Sequence, residues 1–404
     1  MRYDKEGRWW VSNYNLLDDV KRESLTPKSV IIKDETLREG AETPGVSLGL
    51  AAKLKIADVL EKLNVPWVEL GYAGASIEDY ETFKEFKSKG FPFKLSSHAR
   101  AYVREWKNEV DRIIDSGADI VNFLMHTASS IIKPRGLKKE ELPDLAVEVI
   151  EYSKSRGMFT IFGCDAFRGE MGLLEKIYKI ASSVKPDFIW VYDGLGCALP
   201  IAAKILVRNV KGWVGNVPVG VHFHNDYGLA VANTLMAVEA GAEAADLVIN
   251  GLGDRAGNAA LEETVMALTI LYGVKTDICI DKLFKASKIT QEITNVKVQP
   301  NKPIVGENAF VHESDSHIYA ILKQGPFTYE NFKPEIVGHK REIRFGLTTL
   351  HGPAIEALAE NIGIKLNGAA LKTVIQRVRE ISTQNIEYMT DNDLVKIIKE
   401  VTEK

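Results

Sequence analysis

VGVHFHNDYGLAVANTLMAVEAGAEAADLVING, residues 219–251, contains one complete strand, helix and strand succession. An apolar run closes on His222, His224, Asn225 and Asp226, a helical pattern follows, and a second apolar run, ADLVING, closes at Gly251. Working outward, the same alternation starts near residue 30 and runs to residue 272. The other strand candidates are VIIKDETL ending at Leu37, WVELGY at Tyr72, FKLSSHA at Ala99, DIVNFLM at Met125, MFTIFGCDA at Ala166 and FIWVYDG at Gly194. Each precedes ten or more residues with apolar spacing of three and four, as in Leu50, Leu54, Ala57, Leu60 and Leu63. Eight such pairs, with continuously apolar rather than alternating strands, predict an α/β fold: a buried parallel sheet closed into a (β/α)8 TIM barrel. A doubly wound open sheet is the alternative, but no glycine-rich phosphate fingerprint follows the first strand.

The chain has 404 residues, 45% hydrophobic and 26% charged, which is the composition of a globular protein. Lys plus Arg number 51 against 55 Asp plus Glu, a formal charge of −4, and no basic stripe is present, so nucleic acid is not an expected partner. No apolar run is long enough for a membrane span and residues 1–10 do not read as a signal, which gives a cytoplasmic expectation without a membrane partner. Cys164, Cys197 and Cys279 form neither a disulfide framework nor a metal knuckle. A barrel takes about 250 residues. The expected division is an N-terminal extension at 1–29, the barrel at 30–284, an extended linker that completes the active site at 285–346, and a small helical subdomain at 347–404.

A TIM barrel keeps its chemistry at the C-terminal ends of its strands, and polar residues collect there: Arg38 and Glu39, Glu69, His98, His126, Asp165 and Arg168, Asp193, His222 and His224, then Asn258. A period of two points His222 and His224 to the same face. With Glu39 they offer a site for Mg²⁺, Mn²⁺, Zn²⁺ or Co²⁺; the competing reading is two core histidines satisfied by backbone groups. Arg38 is suited to stabilising an enolate or alkoxide beside such an ion, or to neutralising Asp34 or Glu69. Cys164 reads either as a reactive thiol or as an inert buried one. His98 and His126 read as acid–base groups or as supports for a ligand. Trp9 and Trp10 are expected to pack the N-terminal tail on the barrel or on a partner subunit.

DETLREGAETPG (34–45), HFHNDYGLAVANTLMAVEAGA (222–242) and GLGDRAGNAALEE (251–263) together resemble the signatures of the DRE-TIM metallolyases. Within them, NKPIVGENAFVHES (301–314), Tyr329 and PEIVGHKREIRFG (334–346) are similar to the acyl-CoA-dependent branch of isopropylmalate, homocitrate and citramalate synthases. The resemblance implies Glu39, His222 and His224 as metal ligands and Asn258 as a fourth ligand or its support. It implies Arg38 as the group polarising a 2-oxo acid, and His317 as a histidine supplied by the post-barrel segment, often across a homodimer. The expected substrates are a 2-oxo acid and an acyl-CoA, with acetyl-CoA as the natural donor. Departures fall on the substrate side: Glu42 replaces an amide, Cys164 the condensation glutamate, Thr160 an arginine and Gly194 a hydroxyl residue. Those losses leave open an aldolase or lyase that needs no CoA. The chain ends at Lys404, so the regulatory domain of feedback-inhibited relatives is not expected.

Overall fold

The computed structural model describes residues 2–3, 7–22, 24–385 and 388–403. It divides into two compact units, residues 14–297 and residues 1–13 with 298–404. In the first, eight parallel strands close into a barrel: β1 (Ile31–Asp34), β2 (Trp67–Gly71), β3 (Lys94–Arg100), β4 (Ile120–Met125), β5 (Phe159–Asp165), β6 (Phe188–Asp193), β7 (Val219–Phe223) and β8 (Ala244–Leu247), with β8 pairing back onto β1. Helices α1 (Leu50–Lys62), α2 (Ile77–Lys89), α3 (Trp106–Asp115), α4 (Leu142–Ser155), α5 (Met171–Ser183), α6 (Pro200–Val214), α7 (Ala230–Glu239) and α8 (Leu261–Ala267) follow the strands in turn. This is the TIM barrel expected from the alternation.

Three strands stop well short of the ends of their apolar runs: β1 ends at Asp34 rather than Leu37, β7 at Phe223 rather than Asp226, and β8 at Leu247 rather than Gly251. The reason is visible at Thr36, whose backbone and hydroxyl both bond the Asp34 carboxylate and turn the chain out of the sheet.

The barrel interior is filled by Trp67, Ile120, Ile161, Phe188, Trp190, Tyr192 and Ala244. Trp190 is fully buried and sets its neighbours. A Cβ at Gly220 would lie 2.3 Å from the Trp190 ring, so only glycine fits on β7 at that level.

After the barrel, α9 (Leu283–Thr294) completes the first unit. The second unit contains β9 (Val311–His312), α10 (Asp315–Gln324), β10 (Glu342–Phe345), α11 (Pro353–Asn361), α12 (Gly368–Asn385), β11 (Met389–Thr390) and α13 (Asp391–Thr402). Its core gathers Ile318, Phe345, Ile355, Leu358, Val374, Val378, Leu394 and Ile398. Residues 285–346 are therefore not the extended segment the sequence suggested. In α9 the buried stripe is Leu283, Ala286, Ser287, Thr290 and Thr294, a helical spacing carried largely by small and hydroxyl residues that do not register as apolar.

The N-terminal tail packs elsewhere than expected. Trp9 bridges Phe332, the Trp10 backbone N–H donates to Asn331 O at 3.0 Å, and its indole donates to Glu330 O at 3.3 Å. Those partners belong to the post-barrel unit, not the barrel. No helix among the described residues is long and apolar enough to cross a membrane.

Candidate active site at the barrel mouth

A cavity of about 120 Å³ opens at the C-terminal ends of the strands, lined by Arg38, Glu39, Tyr72, His98, Leu124, His126, Asp165, Arg168, Tyr192, Gly194, His222 and His224. Glu39, His222 and His224 are all buried and place one donor atom each within 4.8 Å of the others. Both imidazole Nε2 atoms stand 3.9 Å from the same oxygen, Glu39 Oε1. Two ligand bonds of about 2.1 Å reach at most about 4.2 Å, so one ion can touch all three groups. Asn258 donates to Glu39 Oε2 at 3.2 Å, while its own Oδ1 is buried without a hydrogen-bond partner, as is His224 Nδ1. Gly253, at φ +144°, admits this residue: a Cβ there would sit 2.1 Å from Asn258 Nδ2.

Below the ligands lies a buried charge network that the sequence reading passed over. Lys33 Nζ contacts Glu35 at 2.7 Å, Glu69 at 2.5 Å and Asp246 at 3.2 Å. Arg38 pairs with Glu35 and Glu39, and its Nε makes no hydrogen bond but lies 3.6 Å from Glu69 Oε1, so the guanidinium also neutralises Glu69. His222 Nδ1 lies 3.1 Å from Asp246 Oδ2, the same oxygen that accepts the Trp190 indole N–H at 2.9 Å. This contact turns Nε2 toward Glu39, the arrangement that orients a metal-binding imidazole. Charged residues inside the apolar runs VIIKDETL and ADLVING were the available signal.

Four carboxylates (Glu35, Glu39, Glu69, Asp246) against two cations (Lys33, Arg38) leave two negative charges, which a divalent ion would neutralise. Protons feel the same excess. Burial alone would lower the His222 pKa, but Glu35 and Asp246 outweigh it and raise the imidazole to about 10. Asp246 is raised to about 7, first by burial and then by Glu35. His224 goes the other way, to about 4, through burial and its neighbour His222. The donor set, the orphaned atoms and the charge balance all fit a divalent cation.

Across the cavity the groups are loosely held. Asp165 is 2% exposed, and its Oδ1 has no hydrogen-bond partner. Its Oδ2 lies 3.6 Å from His126 Nδ1 and 3.7 Å from Arg168 Nε. A Cβ at Gly194 would face Asp165 Oδ1 at 3.6 Å, an ordinary contact. His98 lines the cavity but is tied down, with Nδ1 2.9 Å from Glu69 Oε1, and burial lowers its pKa. That geometry supports a ligand-holding role better than proton transfer.

Three sequence candidates are not among the residues that line the cavity. Cys164 does not face the mouth: it is fully buried on the outer side of β5, where its backbone N–H donates to the Tyr178 hydroxyl of α5, and burial pushes its thiol well above the ordinary range. The neighbouring residue Asp165 lines the cavity, so β5 does present a carboxylate there, while position 164 holds no glutamate. Glu42 is exposed and not among the lining residues, yet the walls around it strip enough water to raise its carboxyl to about 7. His317 belongs to the post-barrel unit, on α10, where its ring stacks on Tyr329 with centroids 3.6 Å apart.

Comparison with known proteins now settles the family. The HMGL-like family model matches residues 29–290, and a homocitrate synthase post-HMGL domain-like model matches residues 304–386. The chain belongs to the HMGL-like family. It is 42% identical to a 2-isopropylmalate synthase of Methanocaldococcus jannaschii over 94% of this chain and 73% of that one. It is 39% identical to a putative (R)-citramalate synthase of Archaeoglobus fulgidus, over 92% and 75%, and 35% identical to a homocitrate synthase of Methanopyrus kandleri, over 95% of each. This HMGL-like chain thus falls in the synthase branch of the DRE-TIM superfamily, and its enzyme class is acyltransferase. The hydroxymethylglutaryl-CoA lyase of Pseudomonas aeruginosa shares the fold at 17% identity, with a TM-score of 0.58 over 68% of this chain and 95% of that one.

Proposed function

We propose that this enzyme condenses an acyl-CoA, with acetyl-CoA the natural donor, with a 2-oxo acid and then hydrolyses the thioester, using a divalent metal. The observation that carries the proposal is the convergence on one small cavity of two unlike sets: Glu39, His222 and His224 with Arg38 on one side, and the Asp165–His126 pair on the other. Glu39, His222 and His224 would hold the ion, with Asn258 Oδ1 as a further oxygen donor. When bound, Mg²⁺, Mn²⁺, Zn²⁺ or Co²⁺ supplies Lewis acidity to a chelated oxo acid.

The remaining work falls to side chains. Asp165, with one oxygen free and an imidazole beside the other, takes the α-proton of the acyl group, leaving a thioester enolate. The enolate carbon adds to the oxo carbon, and the alkoxide that forms is met by the Arg38 guanidinium, which lines the cavity. The proton taken by Asp165 returns to the alkoxide, and water then cleaves the thioester, releasing CoA thiol and a 2-hydroxy acid that carries a new carboxymethyl arm. His317 is retained as a contributor to the reaction in a homodimer, as the family resemblance implies. Asp165 in the cavity supports the condensation over a CoA-free aldolase, the reading that Cys164 and Gly194 in place of a glutamate and a hydroxyl residue leave open.

Incubating the purified protein with Mn²⁺, acetyl-CoA and a panel of 2-oxo acids tests the proposal. Free thiol release that depends on one of the acids is expected. No release with any of them, under conditions where the protein is folded and binds Mn²⁺, rules it out.

A further inference from the structure

The mouth cavity is small, and both guanidinium groups in its lining are engaged with carboxylates, Arg38 with Glu35 and Glu39 and Arg168 Nε 3.7 Å from Asp165 Oδ2, which leaves the phosphates of a coenzyme A to be met outside it. The rim is uneven in charge. Arg255 is paired with Asp226 at 2.8 Å and Asp254 at 2.6 Å, and Lys139 is paired with Glu170. Arg38 is buried in its network. The loops after β2 and β6, residues 72–76 and 194–199, carry no cation. By contrast, Arg104 in the loop after β3, and Lys133, Arg135 and Lys138 in the loop after β4, are exposed, and no carboxylate among the described residues forms an ion pair with them. Of the acids in these two loops, Glu141 caps the Lys138 backbone N–H at 3.0 Å, which leaves Glu105 and Glu140 against four cations.

These cations are placed rather than merely present. Ile132, 1% exposed, anchors the second loop, and Gly136 at φ +74° closes the turn Lys133–Arg135. The Arg135 guanidinium sits over the Tyr102 ring at 4.9 Å and bonds Ile131 O at 2.7 Å. Tyr102 in turn lies against His126, with ring centroids 4.8 Å apart, and His126 lines the cavity. Arg104 reaches the same turn, since a Cβ at Gly136 would lie 3.8 Å from its Nη2. A continuous path therefore leads from the reacting groups, across an aromatic face, to unpaired guanidinium and ammonium groups.

Resting on the condensation reading above, we propose that this shelf, formed by Arg104, Lys133 and Arg135 around Tyr102, binds the phosphorylated nucleotide end of the acyl-CoA. Arginine matches phosphate oxygens with paired N–H donors, and lysine adds a compact charge. The pantetheine arm then passes His126 to bring the acyl group to Asp165.

The double variant Lys133→Glu/Arg135→Glu tests this on the full chain, because both side chains are exposed and their reversal spares the core. The KM for acetyl-CoA is expected to rise at least about tenfold, while the KM for the oxo acid does not follow. Wild type should prefer acetyl-CoA to acetyl-dephospho-CoA, and the variant should lose that preference. Calorimetric titration with 3′,5′-ADP, which requires no turnover, should show binding to wild type that is abolished in the variant. An unchanged KM for acetyl-CoA, or 3′,5′-ADP binding that is equal in both proteins or absent from wild type, overturns the shelf. A wild type that binds 3′,5′-ADP yet releases no thiol would instead sink the condensation reading and leave the shelf standing.

Discussion

At the ends of β1, β7 and β8, Glu39, His222 and Asn258 are held by partners that are themselves held: Asp246 by Trp190, Glu35 and Glu69 by Lys33. At the ends of β4, β5 and β6, His126 and Asp165 face the same cavity with orphaned atoms and contacts of 3.6 Å, and Gly194 offers no side chain at all. The first half is built to fix geometry before anything binds. The second half keeps its hydrogen-bonding capacity for what arrives. With the proposed roles, such a division would let one fold keep a common ion site while the substrate side varies.

The comparison breaks most severely at a ligand. His222→Ala removes a donor atom and strands Asp246 and Glu35, so Mn²⁺ affinity should fall by more than the roughly 10–100-fold typical of losing a supporting group, with activity lost in parallel. Titration of Mn²⁺ checks this, and undiminished binding by both His222→Ala and His224→Ala would falsify the ligand assignment. Asp165→Asn should act on the other half alone: kcat drops by about 10²–10⁴-fold while Mn²⁺ affinity holds. If Mn²⁺ affinity falls with kcat, the two halves are not separate. Asp246→Asn keeps the shape but weakens the hold on His222, and metal affinity should decrease roughly 10–100-fold. An unchanged affinity would show that Trp190 and Asp246 are scaffold only.

Gly194→Thr is milder. The new Cβ fits beside Asp165, and its hydroxyl can satisfy the free oxygen, so kcat should drop by about one order of magnitude or less as the base weakens. A faster enzyme would argue that the hydroxyl serves the substrate. Cys164→Ser should do least to chemistry. In the native protein Cys164 should resist thiol reagents that modify exposed Cys197, since burial both hides its thiol and raises its pKa. Rapid native labelling of Cys164 would contradict its outward placement.

What the sequence revealed and what it concealed have physical causes. The eight strands were legible because each is a short run rich in β-branched and aromatic residues followed by a helical pattern, and His222 with His224 was legible because two polar residues at a spacing of two have one face to share. In β5, a strand buried on both sides, no alternation says which residue points inward, so Cys164 reads from the sequence as a mouth residue alongside Asp165, although only Asp165 lines the cavity. Lys33, Glu35 and Asp246 went unweighed because their roles depend on one another across β1, β2 and β8, a relation no single segment contains. The helices after the barrel were missed where hydroxyl residues fill the buried stripe, as in α9.

The contact between Gly220 and Trp190 reaches beyond packing. Any side chain at 220 collides with the indole at 2.3 Å, so change at 220 must wait for a smaller residue at 190. That first step would also take away the donor that holds Asp246. Two positions in the barrel interior are thereby bound in their order of replacement to the carboxylate that orients His222, a proposed metal ligand.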